Sequence, residues 1–466
     1  IPCGFFAFCC KNFAKFRLIR SVCRFKRLPP PQKNAIIFGN AQITQQGNLM
    51  QIKTISIQEY RNYLDTLDAV IFQQSDFQAQ KFMHDGWQVE FIQASEQGNV
   101  YATCMLAYIP LMKVFKYCYI SRGFIADYKQ KDKLNSFVSE LKKYLKKKNV
   151  VYLETDPEID LQERDKDGNI VEGGFNNFDV VENLKSSGFV QLPLTQGYDL
   201  NKECRWCSSL DLRNKTADDI FKEFSYTTRQ DVRSAQKYCV HVRKLNVNEL
   251  DILDSMEQET SKRHNFHAFD LNYYKELYEF YGDDHVETWL SYLDLDQYSS
   301  KIQKEYDKTL KDIEKTKTFL ESNPGNVKKE KRLKTDEEYY NSLKKKLNQI
   351  SGLRNEYGEI VPLACCLFLK YSNQIIYLVG SSNYEQRVFR GPYAIHWNMI
   401  QEAIEEGYEY YNFYGISGLF EPEQEGYGVF DFKRGFNAVV HEYIGNFILP
   451  CKPFIFKIYN NLKHIY

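Results

Sequence analysis

Apolar positions recur with two different periods along this chain. Between residues 50 and 204 they fall in short alternating or continuous runs separated by longer helical patterns. Gln51-Ile52-Lys53-Thr54-Ile55 predicts a first strand, and 57–67 a first helix. Runs at 89–92, 100–106 and 114–119 predict a three-strand meander. A basic amphipathic helix over 131–148 follows, then a buried strand from Val150 that stops at Asp156-Pro157. From 205 the pattern restarts. Residues 209–212 predict a strand, 218–224 and 228–237 helices, and 257–280 a largely helical stretch. Residues 362–370 and 374–380 predict a hairpin, with Gly380-Ser381-Ser382-Asn383 as a tight turn. Met399, Ile400, Ala403 and Ile404 recur at helical spacing up to Gly407. Tyr408 to Tyr414 predicts a strand, and Gly415, Gly418, Gly426 and Gly428 space out a loop.

Residues 297–350 differ from all of this. Ile302, Tyr306, Leu310, Ile313 and Leu320 form one narrow apolar seam, and Leu333, Tyr340, Leu343, Leu347 and Ile350 another. Ser322-Asn323-Pro324-Gly325 breaks the helix between them, which predicts an antiparallel coiled-coil hairpin. The pattern is thus α/β in two halves, 50–204 and 205–296 with 351–450, the hairpin being inserted in the second. Residues 451–466 form a basic amphipathic tail. It suits an anionic membrane surface or docking on the protein body, the commoner outcome.

Charge changes the picture only at the start. The chain holds 61 Lys plus Arg against 61 Asp plus Glu, but residues 1–49 carry eight basic residues and no acidic one. That segment is expected to lie outside the fold, a basic nucleic-acid arm being the alternative. The twelve cysteines are scattered in a long chain, which fits reduced thiols in a cytosolic protein better than a disulfide framework. Cys204 and Cys207 have metal-ligand spacing without a second pair, so no metal site is expected. No run is long enough to span a bilayer.

Candidate chemistry is concentrated in a few places. Phe432-Lys433-Arg434-Gly435-Phe436 sets two cations between two aromatics, suited to a phosphate or a tRNA end and equally to ordinary packing of a sheet on a helix. Arg229 and Arg233 lie four apart on one helical face, able to grip a diphosphate or simply to be solvated. Asp127 is placed either to orient an incoming amine or to cap the following helix.

Gly391-Pro392-Tyr393-Ala394, Tyr411-Asn412-Phe413-Tyr414-Gly415-Ile416, Val429 to Phe436 and Glu442-Tyr443-Ile444-Gly445 resemble the closing motifs of the FemABX peptidyltransferases, which add cross-bridge residues to peptidoglycan precursors. Earlier motifs are similar in the same order, from Gln73 to Lys81 and Trp87, through Ser121-Arg122-Gly123, to Arg263-His264 and Phe266. Phe124 stands where the family has a proline. The resemblance covers roughly 56–447. It implies two GNAT-like domains, and an aminoacyltransferase that uses aminoacyl-tRNA as co-substrate and no cofactor. The acceptor it implies is a lipid-linked or UDP-linked muramyl pentapeptide, met in the cytoplasm with peripheral contact at the inner face of the membrane.

By the same resemblance, Lys433 serves the developing oxyanion or the tRNA terminal phosphate, with Phe432 stacked on the terminal adenine. Asp127 orients the attacking amine. Lys81, Arg229 and Arg233 hold the diphosphate, and Tyr119, Tyr377 and Tyr393 contact substrate. This reading expects Lys81, Arg229 and Lys433 to share one cationic groove between the halves. Two other functions compete. An acyl-CoA N-acetyltransferase would need a phosphate cradle, and Glu423 ahead of Gly426-Tyr427-Gly428 opposes one. A non-catalytic scaffold would use the hairpin as a docking arm.

Overall fold

The protein is described here from a computed structural model covering residues 50–199, 202–264 and 268–463. The basic extension 1–49, Phe266 and the last three residues of the tail lie outside the described residues. The strands of the first half are β1 (Gln51–Ile55), β2 (Gln88–Glu96), β3 (Asn99–Leu111), β4 (Phe115–Ile120), β5 (Ile125–Ala126), β6 (Val150–Thr155) and β7 (Val190–Gln191). Those that follow are β8 (Trp206–Asp211), β9 (Val240–Leu245), β10 (Val286–Asp294), β11 (Ile360–Tyr371), β12 (Gln374–Ser382), β13 (Tyr410–Gly415), β14 (Val439–Glu442) and β15 (Phe447–Pro450).

They form two sheets. The first runs β1-β2-β3-β4-β6-β15-β7, with β5 added to β3, and the second β14-β8-β13-β12-β11-β10-β9. Both repeat one plan. A meander ends in a strand that pairs in parallel with the next long one across a helical crossover. In the first sheet β4 pairs β6 across helix Lys131–Lys147. In the second β12 pairs β13 across helix Gly391–Glu405.

Both sheets are covered on both faces, which explains runs that read as continuously apolar rather than alternating. On β3, Ala102, Cys104, Leu106 and Tyr108 face one core with helix Lys131–Lys147, while Met105, Ala107 and Leu111 face another with the first helices. On β11, Ala364, Cys366 and Phe368 pack against helix Gly391–Glu405, while Cys365, Leu367 and Leu369 pack under helices Leu250–His264 and Leu271–Tyr281.

In chain order the second sheet begins with β8. The chain does not stay in the second sheet to 450, however. Its strand β15 crosses back and inserts between β6 and β7, pairing Ile448 with Glu154 on one side and with Val190 on the other.

The charged insert forms two long helices, Leu295–Ser322 and Val327–Tyr357. They pack along each other through stacked Tyr306 and Tyr340 rings (4.5 Å) and a Lys317–Glu337 ion pair at 2.8 Å. The first begins directly after β10 and the second ends just before β11, and those strands pair to their ends, Asp294 opposite Ile360. The arm is therefore a long loop of one β-hairpin, rooted by Leu293, Tyr298, Ile302, Leu343, Ile350 and Val361. Among the described residues no helix is long and apolar enough to cross a membrane.

Candidate active site

The parallel pair of the second sheet is incomplete, and the site is built on that gap. β12 pairs β13 only from Gln374–Tyr410 to Ile376–Asn412. Beyond this point the two strands part, although β12 runs on to Ser382 and β13 to Gly415. In the first sheet the corresponding ladder continues to Ile120–Thr155, the last residues of β4 and β6. Tyr414, at φ 61°, bends β13 where its register against β8 shifts.

A cavity of about 470 Å³ occupies the wedge. Tyr377, Gly380 and Ser381 line one wall and Phe413 to Gly415 the other, with Phe432, Lys433 and Arg263 closing it. The Gly380 to Ser382 stretch, expected as a turn, is strand, because Ser381 and Ser382 still pair with Cys365 and Ala364 of β11.

Gly426 and Gly428, expected within a loop, instead start a helix, Tyr427–Gly435, with Gly426 left-handed at its cap, and the Phe432 to Gly435 motif ends it. Its last turn delivers Lys433 into the wedge, 4% exposed. The ammonium donates to the carbonyls of Phe413 and Gly415, each at 2.6 Å. It thus takes the place that β12 vacates, satisfying carbonyls that a continued ladder would have paired. The Tyr377 ring lies 5.9 Å from the same ammonium. Phe432 sits in an aromatic wall, edge-on to Tyr393 (5.1 Å), His396 (5.3 Å) and Phe436 (5.2 Å).

Burial holds His396 and Cys366 neutral. Burial pushes the His396 imidazole down to about 3, with Lys433 adding to the effect, and Nδ1 pairs with the Tyr411 hydroxyl at 2.7 Å. Burial pushes the Cys366 thiol up to about 12, so this cavity-lining cysteine is no thiolate nucleophile. Glu257 is the exception that falls within working range. It is buried on helix Leu250–His264, three and six residues before the cavity residues Thr260 and Arg263, and so on their face. Desolvation, aided by Asp254, pushes its carboxyl up to about 8. It stands close enough to raise the Tyr377 hydroxyl through its charge, and its Oε2 has no hydrogen-bond partner among the described residues.

Of the residues expected from sequence, the structure brings Lys433, Phe432 and Tyr377 together in the cavity, with Tyr393 behind Phe432 and next to the cavity-lining Pro392. The shared cationic groove is not assembled. Lys81 is buried with partners of its own, Glu276 at 2.8 Å and Asp85 at 3.2 Å, joining helix Asp76–His84 to helix Leu271–Tyr281. Arg229 donates to the carbonyls of Lys222 (2.8 Å) and Phe224, closing the end of helix Ala217–Glu223. Arg233 lies over the Phe221 ring at 5.3 Å.

Asp127 is exposed on a turn, accepting from the Lys129 amide (2.9 Å) and Gln130 Nε2 (2.8 Å) ahead of helix Lys131–Lys147. The hydrogen bond from Gln130 comes first among the causes that lower its carboxyl. Tyr119 donates to Asp156 at 2.7 Å, within a buried cluster around Arg122. In that cluster Glu203 accepts from the hydroxyl of the cavity residue Tyr414 (2.8 Å), which also receives Gln73 Nε2 from the first half (3.0 Å).

Glu257, buried behind the cavity-lining Thr260 and Arg263 rather than lining the cavity itself, was not legible from the sequence. The signal was its three-residue spacing to Thr260 and Arg263, polar groups on a helix face that packs against a sheet.

The comparisons agree with one another. The FemAB family model matches residues 55–464. The aminoacyltransferase FemA of Staphylococcus epidermidis is 31% identical over 417 residues, covering 89% of this chain and 100% of the relative. The aminoacyltransferase FemA of Staphylococcus aureus is 32% identical over 419 residues, covering 89% of this chain and 99% of the relative. The crystal structure of FemX superposes with a TM-score of 0.69 at 22% identity, over 88% of this chain and 99% of that one, which shows a shared fold.

Proposed function

The chain belongs to the FemAB family and is an aminoacyltransferase; from that premise we propose that it moves an amino acid from aminoacyl-tRNA to the lysine side-chain amine of a peptidoglycan precursor's stem peptide, as a step in cross-bridge formation. The acceptor is a muramyl pentapeptide on a lipid or nucleotide carrier, met at the inner face of the membrane. The observation that carries this reading is the wedge between β12 and β13, with a buried ammonium at its floor and an aromatic wall beside it. The repeated parallel pair supports the expectation of a GNAT-like plan in each half.

The ester of an aminoacyl-tRNA is already activated, so positioning and charge stabilisation supply much of the barrier reduction. The acceptor amine adds to the ester carbonyl, a C–N bond forms, and the bond between the acyl carbon and the ribose oxygen breaks, so that the oxygen leaves with the ribose. Lys433 faces the oxyanion that develops in between. Phe432 offers its ring to the terminal adenine. The proton leaving the amine passes finally to the ribose oxygen, and Glu257 is the group able to hold it on the way. With its thiol held protonated by burial, Cys366 is not poised as a nucleophile. Arg263, which lines the cavity and lies over Tyr384 (5.1 Å), is the cation we place against substrate phosphate.

The test is to incubate the protein with a panel of charged tRNAs and with lipid-linked and UDP-linked muramyl pentapeptide, then weigh the products. A mass gain of one aminoacyl residue on the pentapeptide is the expected result. No gain with any pair, together with acetylation from acetyl-CoA, would replace this reading with the acyl-CoA one.

A further inference from the structure

Helix Pro453–Lys463 has two apolar faces, and only one is used. Inward, Phe456 packs on Tyr152 (5.1 Å) and Tyr459 lies at 6.1 Å from the same ring, closing the first-sheet core. Outward, Phe454, Ile458 and Leu462 recur four residues apart and are 78%, 50% and 72% exposed. Large apolar side chains in a row on a helix surface are uncommon unless something covers them.

The charges around this row have one sign. Lys452, Lys457 and Lys463 flank it, and no acidic residue follows Glu442. Lys452 lies over Phe115 at 5.9 Å, which brings the turn of Met112, Lys113 and Val114 beside the start of the helix. Met112 and Val114 are exposed as well. An outward apolar row, an apolar loop tip next to it and lysines around both make an amphipathic surface complementary to an anionic lipid leaflet, with rings and branched chains reaching below the headgroups and ammonium groups meeting phosphate. A protein partner's docking face would more often carry charges of both signs at its rim.

We propose that the outer face of helix Pro453–Lys463, together with the Met112–Val114 turn, is a membrane-docking surface that seats the enzyme on an anionic bilayer. It lies on the first half and is separate from the cavity. Its binding needs no substrate, so it can fail without touching the transfer reading, and the reverse.

The experiment is co-sedimentation of the full chain with vesicles of phosphatidylcholine alone or mixed with phosphatidylglycerol, across a salt series. The wild-type chain is expected to sediment with the mixed vesicles and not with the neutral ones. The triple substitution Phe454→Ser, Ile458→Ser, Leu462→Ser should lower the partition at least about tenfold. Replacing Lys452 and Lys457 with Gln should lower it by about fivefold for each lysine removed, and flatten its salt dependence. Four of the five side chains are exposed and Lys452 is half-buried, so an unchanged melting temperature will show that the fold is kept. No sedimentation of the wild type with mixed vesicles overturns the proposal. So does undiminished sedimentation of the serine variant, or wild-type dimers in solution that the serine variant abolishes, which would assign the face to a second copy.

Discussion

Lys433 donates to the carbonyl of Phe413 at 2.6 Å, so the residue expected to meet a developing negative charge is also a piece of the sheet. The two roles predict a compound phenotype. Lys433→Met should cut transfer about a hundredfold or more, as loss of a charge-stabilising donor does. It should also lower stability by about 1–3 kcal/mol, because the Phe413 and Gly415 carbonyls lose their donor. Thermal melting and transfer assays on one preparation separate the two effects. Wild-type turnover in a melted-down variant would remove Lys433 from the chemistry and leave it a structural lysine.

In the proposed role of proton acceptor, Glu257 is expected to make the reaction and the fold respond to pH in opposite ways. As a proton acceptor it must be ionised, so transfer should fall as pH drops below about 8, and Glu257→Gln should abolish that limb. For stability, a carboxyl raised from 4.5 to about 8 favours the folded state fully below pH 4.5, and that contribution is lost as pH rises towards 8. Glu257→Gln should therefore melt higher than wild type at pH 8, by on the order of a few kcal/mol, and no higher at pH 4. A pH–rate profile unchanged by the substitution would sink the catalytic role and leave the stability effect standing.

His396 has the reverse sign. Its imidazole is pushed down from 6.5 to about 3, so its contribution is complete above pH 6.5 and is lost as pH falls towards 3. His396→Phe, placed among Phe413, Phe432 and Phe436, should melt less steeply with falling pH over that window, while losing the bond to Tyr411. Parallel melting curves for the two proteins from pH 6.5 to 4 would contradict it.

Two glycines of the cavity should behave differently. A Cβ on Gly380 would collide with the Tyr377 ring, so Gly380→Ala should displace that wall and lower transfer at least about tenfold. Nothing lies within 4 Å of a Cβ on Gly428, and Gly428→Ala should be tolerated. Equal activity in the two variants would show that Tyr377 does not shape the substrate site.

The helical arm is carried by a hairpin whose strands pair without its help. Removing its tip beyond the Tyr306–Tyr340 stack should leave melting within a few degrees of wild type and transfer in solution intact. Loss of transfer with the fold kept would instead point to substrate contacts on the arm, and would revive a docking role for it.

Much of this architecture was legible from residue pattern. The meander, the crossover helices and the break at Asn323-Pro324-Gly325 all follow local rules, and each element formed within a few residues of its expected place. What escaped were relations between distant segments. Lys81 is a cation of the right kind at the expected spacing, but Glu276, which claims it, is set by packing that no local pattern encodes; Arg229 is claimed close by, at the end of the preceding helix, by the carbonyls of Lys222 and Phe224. Asp127 shows the converse, since its turn partners Lys129 and Gln130 were adjacent in sequence and sufficed to account for it. The wedge itself depends on a ladder that stops at Ile376–Asn412, and strand length alone says nothing about where pairing ends.

The return of β15 to the first sheet has a further consequence for how this molecule is made. Glu154 and Val190 both find their neighbour in Ile448, nearly three hundred residues downstream of the former. On the ribosome the amino-terminal half must wait, with a slot in its sheet unfilled, until Phe447–Pro450 have been made. A nascent chain that stops short of β15 should therefore fail as a whole, its early half left with raw strand edges that invite other chains.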